Sequence, residues 1–136
     1  SFKKKQLECL IKITKIIIKK YSIKKKNILG HSDIAPLRKK DPGEKFPWKY
    51  LADKKIGVWH KIDLKKCIKF RGKYFNIKSK FFFEKLNKLG YSVQSSKKTE
   101  LKKITNSFQR RFRPELIDGK VDRECLEIAK SLISSK

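Results

Sequence analysis

At 136 residues the chain has room for one compact domain, or for part of one followed by a module of roughly 60 residues. Hydrophobic and charged residues each make up 38% of it, so it can fold around small cores, and no stretch approaches the roughly 20 apolar residues of a membrane span. The formal net charge of +25 comes from 32 lysines and 6 arginines spread through every segment; this argues against a base-reading protein, which leans on arginine gathered on one face, and fits a compositional bias of the source genome toward lysine and isoleucine.

Leu7, Leu10, Ile11, Ile17, Ile18 and Tyr21 recur at helical spacing with lysines between them, which predicts an amphipathic helix over residues 5–20. Lysines interrupt the apolar run at Ile16, Ile17 and Ile18, so it does not read as a signal peptide. Residues 23–29, ending in Ile28 and Leu29, suit a short strand that leads into Gly30 and His31. From Ser32 to Pro47 the chain carries Pro36, Pro42, Gly43 and Pro47, punctuation that marks a loop. A short helix follows over Trp48–Lys55, and residues 62–77 are mixed, basic and weakly periodic, as in a tether. Three further helices are expected. Ser79 is placed to cap one running through Phe82, Phe83, Leu86 and Leu89 to a left-handed cap at Gly90; Thr99 caps a second with Leu101, Ile104, Phe108 and Phe112 on one face before Pro114; Asp122 caps a third with Cys125, Leu126, Ala129, Leu132 and Ile133 inward. Cys9, Cys67 and Cys125 lie far apart and read as unpaired thiols.

The loop holds the residues with the most chemistry. It reads Gly30, His31, Ser32, Asp33, Ile34, Ala35, Pro36, Leu37, Arg38, Lys39, Lys40, Asp41, Pro42 and Gly43, then Phe46, Pro47 and Trp48. An imidazole and a carboxylate ten positions apart are ordinary zinc ligands if the loop returns one to the other. On spacing alone, a histidine that satisfies a tight loop and an aspartate that opens a turn before Pro42 fit as well. Glu44 reads as a solvated loop residue, and His60, after Gly57, Val58 and Trp59, as a packed or exposed imidazole.

The string GHSDIAPLRKKDPGEKFPW resembles the signature of AmpD/AmiD-like N-acetylmuramoyl-L-alanine amidases, a zinc family related to the peptidoglycan recognition proteins. LADKKIGVWH resembles the continuation of that domain, and KLGYSV with NSFQRRFRPELIDGKVDRECLEIAKSL resembles the helical peptidoglycan-binding module behind it in AmiD-like members. The resemblance implies an α+β fold: an α/β amidase domain incomplete at its N-terminus, in residues 1–65, then a linker at 66–77 and a small all-α three-helix module at 78–136. It implies hydrolysis of the amide between N-acetylmuramic acid and L-alanine in peptidoglycan or muropeptides, with Zn2+ as cofactor. His31 and Asp41 match zinc ligands, and Lys39 matches the lysine that steadies the oxyanion.

The resemblance also says what is missing. A catalytic zinc takes three protein ligands and one open position, and the family supplies its first histidine, and a glutamate that handles the water, from a segment upstream of the helix that opens this chain. His60 does not stand at a ligand position of the family. The chain alone is therefore expected to be inactive, with the N-terminal half of the same amidase as its partner. A non-catalytic peptidoglycan-binding fragment is the competing reading. No nucleic acid partner and no transmembrane segment are expected, and the family implies a location in the bacterial cell envelope, in the periplasm.

Overall fold

Helices α5 (Ser79–Leu89), α6 (Lys98–Phe112) and α7 (Arg123–Ser134) form where the apolar stripes foretold them. In the computed structural model, which describes residues 2–135, their facing stripes close one core around Phe82, Leu86, Tyr91, Ile104, Phe108, Cys125, Ile128 and Ala129. Two caps were legible. Asp122 accepts a hydrogen bond from the Cys125 N–H at 2.9 Å at the start of α7, and Gly90 ends α5 in the left-handed region at φ 100°. The other two caps were displaced by one or two residues: Lys78 and Lys97 hold the N-cap positions, with Ser79 and Thr99 already helical.

The tether-like segment is structured. It carries α4 (Leu64–Phe70), capped by Asp63, whose carboxylate accepts from the Lys66 N–H at 3.0 Å. Helix α4 packs on α7 and buries Cys67, and just beyond it Arg71 forms a two-pronged pair with Glu124 at 2.8 and 2.9 Å.

Residues 2–57 are built more thinly. Helix α1 (Lys4–Tyr21) matches its expected span but buries no residue completely. Leu10, Ile11 and Ile18 lean on a small core of Trp48, Leu51 and Ile56, the first two from α3 (Trp48–Asp53). Trp59 touches both cores, so the two parts share one seam. A single helical turn, α2 (His31–Ile34), lies between α1 and α3 and packs on α6, as does α3.

The expected α+β fold is not what the chain adopts: among the described residues there is no strand, and the architecture is all-α. Where residues 23–29 were read as a strand, Lys25–Asn27 forms a 3-10 turn, with the Asn27 and Ile28 N–H groups bonded to the carbonyls of Lys24 and Lys25 at 2.9 and 3.2 Å. A strand exists through its ladder to a neighbour, and three lysines and an asparagine give little propensity for one. The carbonyl of Ile28 is taken instead by the Arg111 guanidinium at 3.0 Å.

Candidate metal-binding loop

The loop from Gly30 to Gly43 folds back on itself. The Ser32 N–H donates to the Asp41 carbonyl at 3.0 Å and closes the ends together, while Ala35, Arg38 and Lys39 make successive turn bonds to the carbonyls of His31, Ala35 and Ala35 at 2.8, 3.0 and 2.9 Å. Gly30 is needed for its lack of a side chain. A Cβ there would stand 2.7 Å from Cδ of Pro42 and 3.2 Å from the Trp48 ring, so any larger residue pushes away the proline that follows Asp41.

Within the single turn of α2, neighbouring side chains point apart. Ser32 and Asp33 are buried, and His31 faces out. His31 Nδ1 donates to Asp41 Oδ2, so the imidazole and the carboxylate ten positions apart do meet. Both side chains are more than half exposed. The hydrogen bond from His31 is the main reason that the Asp41 carboxyl sits below its usual range, and the charges of His31 and Lys39 add to the effect. The structure thus brings Asp41 and His31 together on one outward face, with Lys39 exposed two positions before Asp41 in the chain.

As a donor set, one imidazole nitrogen and one carboxylate oxygen converging on the same point suit zinc, and an ion held by both must displace the proton that now joins them. They fit as two ligands of a set that needs a third. Among the described residues no group of three or more His, Cys, Asp or Glu side chains lies close enough to hold an ion. Glu44 is exposed. His60 lies elsewhere, packed beside Trp59 with ring centroids 5.0 Å apart, its Nδ1 buried without a hydrogen-bond partner. Burial pushes its pKa down to about 4, the behaviour of a packed neutral imidazole.

Behind the loop stands a buried polar node that the sequence reading passed over. The Asp33 carboxylate accepts from the Gly30 N–H at 2.8 Å, from the Tyr91 hydroxyl at 2.7 Å and from the Arg111 guanidinium. Arg111 and Asp33 are 2% and 4% exposed at their side chains, so this pair is shielded from water. The Arg111 guanidinium also lies 4.0 Å from the centroid of the Trp48 ring, and Ser107 on α6 donates its hydroxyl to the Ser32 carbonyl. The Tyr91 hydroxyl is held far above its ordinary pKa, first by burial and then by the Asp33 charge. One signal for this node was available: Arg111 stands three residues after Phe108, on the face of α6 that carries Ile104 and Phe108, and a charge on a buried stripe demands a partner.

No protein-family model matches the chain. Over 134 residues it is 36% identical to the N-acetylmuramoyl-L-alanine amidase AmiD of Escherichia coli (strain K12), an alignment that takes in 97% of this chain and 49% of AmiD. Over 43 residues it is 51% identical to the 1,6-anhydro-N-acetylmuramyl-L-alanine amidase AmpD of Enterobacter cloacae, which spans 32% of this chain and 23% of that protein. The solved structure of E. coli AmiD in complex with anhydro-N-acetylmuramic acid-L-Ala-D-gamma-Glu-L-Lys superposes with a TM-score of 0.87 at 36% identity, covering 98% of this chain and 53% of that one. The chain therefore spans about half the length of the first of these relatives.

Proposed function

Because the chain belongs to the AmiD/AmpD-like N-acetylmuramoyl-L-alanine amidase family, we propose that it forms part of a zinc-dependent amidase that hydrolyses the bond between N-acetylmuramic acid and L-alanine in peptidoglycan or muropeptides. The observation that carries this reading is the meeting of His31 with Asp41 on one exposed face of the loop.

In the proposed site His31 and Asp41 hold the zinc. When bound, the metal supplies Lewis acidity toward the scissile carbonyl and a more acidic water. Lys39, two positions before Asp41 and exposed, would bring an ammonium to steady the oxygen on which negative charge develops. Water adds its hydroxyl to the lactyl carbonyl carbon, the C–N bond breaks, and the proton leaves with the L-alanine amine. The third ligand and the group that handles the water come from an upstream segment of the same amidase. Helix α1 supports this, since Ile13, Ile16 and Ile17 present an apolar stripe to solvent at 51%, 58% and 42% exposure, a surface that suits cover by another polypeptide.

Residues 1–65 form the amidase part in this reading, 66–77 the connection, and 78–136 a peptidoglycan-binding module that holds the enzyme on an insoluble substrate and raises its local concentration. The setting is the bacterial cell envelope. No helix among the described residues is long and apolar enough to cross a membrane. A second reading, a wall-binding fragment without hydrolysis, draws on the contrast between a full helical core and a donor set of two.

The test is hydrolysis of anhydro-N-acetylmuramyl-tripeptide by the purified chain, alone and combined with a polypeptide supplying the upstream half. The isolated chain is expected to release no peptide, and the combination to release it with a requirement for zinc, lost in His31→Ala and Asp41→Ala. Turnover by the chain alone overturns the shared site. Activity that survives both substitutions overturns the assignment of the loop, and sacculus binding with no turnover by either sample selects the second reading.

A further inference from the structure

The candidate ligands sit on a piece of chain too short to hold its own shape. Helix α2 is one turn of four residues, and an isolated turn does not persist in water. The clamps on it come from the helical part of the molecule. Before His31, the Ile28 carbonyl accepts from Arg111 at 3.0 Å. After it, the Ser32 carbonyl accepts from Ser107, and Asp33 accepts from both Tyr91, at 2.7 Å, and Arg111. Ser32 in turn donates its N–H to the Asp41 carbonyl, so the same clamps reach the second candidate ligand. The His31 side chain adds its bond to Asp41, and its carbonyl accepts the turn bond from the Ala35 N–H.

We propose that Tyr91 and Arg111, acting through Asp33, are positioning residues that hold His31 and Asp41 at the geometry of the metal site; the proposal rests on the amidase reading above. The helical module then has a second role beside any wall binding, as the support of the loop. The chemistry favours such a lock. A buried carboxylate needs its acceptor sites filled, and Asp33 has its own loop's Gly30 N–H on one oxygen while the module fills the rest. Removing the Tyr91 hydroxyl leaves a buried carboxylate oxygen short of a donor, and the cheapest relief is for α2 to turn Asp33 toward water, which carries His31 away from Asp41. An ordinary core ion pair predicts something else: uniform loss of stability with no preferential effect at the loop.

The experiment uses the 15N-labelled full chain and compares the parent with Tyr91→Phe and, at a separate clamp, Ser107→Ala. Amide hydrogen exchange is read at Ser32 and at Ile128 and Ala129 in α7, and Zn2+ alone is titrated while the His31 ring resonances are followed. In both variants the Ser32 amide is expected to exchange about tenfold faster or more with α7 unchanged, and the apparent zinc affinity at His31 to drop about tenfold, the usual effect of removing a group that supports a ligand. Exchange that rises equally at Ser32 and in α7, or, where zinc shifts the His31 signals of the parent, an equal response in the variants, overturns the lock. If Ser32 is selectively deprotected in the variants while zinc leaves the His31 signals of the parent unmoved even with the upstream half added, the amidase reading of the loop fails and the mechanical lock stands.

Discussion

Two parts of this molecule solve the problem of stability differently. Residues 79–135 close three helices over a core of fully buried side chains, whereas residues 2–57 bury three hydrophobic residues, Trp48, Leu51 and Ile56, under a helix with none of its own buried. The end of α6 shows the same contrast in polar form. Arg113 pairs with Asp122, nine positions on and inside the helical part; Arg111, two residues earlier, pairs with Asp33, 78 positions back in the loop. One arginine completes a unit, and the other lends that unit's rigidity to a segment that lacks it. The lesson is that the chemistry-bearing loop borrows its order, so damage to the helical part should reach the loop while damage to the thin part should stay local.

The largest effect is expected at Asp122, which is wholly buried, caps α7, accepts from the Gly72 N–H at 2.8 Å and pairs with Arg113 at 2.6 Å. Asp122→Ala leaves a buried guanidinium with a weakened set of partners, and breaking such a pair costs about 3–5 kcal/mol. Urea denaturation should show a loss of that size, with the loop and the helices unfolding in one transition. Separate transitions would break the comparison. Leu51→Ala, in the thin part, should cost less, about 2 kcal/mol at the low end for buried leucine, because α1 can settle into the gap. Hydrogen exchange should then rise in α3 and α1 and leave α7 protected.

A third effect, read through pH, belongs to the seam. His60 lies in the stretch that joins the two parts, and burial lowers its pKa to about 4 from an ordinary 6.5. Above pH 6.5 the ring is neutral folded or unfolded, and pH has no leverage through it. Between about 6.5 and 4 the unfolded chain takes up a proton that the folded chain refuses, so stability falls as pH falls through that window and levels off below it. Thermal melts of the parent and of His60→Phe across pH 4 to 7 should show the parent's slope reduced in the variant; equal slopes would place the pH sensitivity elsewhere.

What could be read in advance divides along the same line. The caps at Asp122 and Gly90 were legible because each is decided by residues within one turn of it. The supposed strand at 23–29 was not, since pairing depends on a distant neighbour, and here a distant arginine claimed the Ile28 carbonyl. The helix in the supposed tether was missed because its stability comes from α7 and the Arg71–Glu124 pair, 53 positions apart, more than from its own periodicity. At the site, the approach of His31 to Asp41 was open on spacing and was weighted by resemblance alone. Asp33, Tyr91 and Arg111 had no local signal except a charge on a buried face.

The smallest effect on stability sharpens the comparison most. Helix α1 carries two apolar stripes: Leu10, Ile11 and Ile18 rest on the small core, while Ile13, Ile16 and Ile17 face outward. A helix apolar on more than one face is normally covered on more than one face. Ile16 and Ile17 are exposed and are not among the buried or partly buried side chains that make up either core, so replacing both with lysine should change the stability of this chain by no more than about 0.5 kcal/mol, as for surface positions generally. The same double variant should fail to combine with the upstream half in the hydrolysis assay, because two ammonium groups would then have to be buried in the joint. Unchanged stability with lost complementation would identify the outward stripe as the face that the thin part keeps for the rest of the enzyme. A marked fall in stability of the chain by itself would mean that α1 already uses that face here, and that residues 2–57 are not as thinly held as their buried side chains indicate.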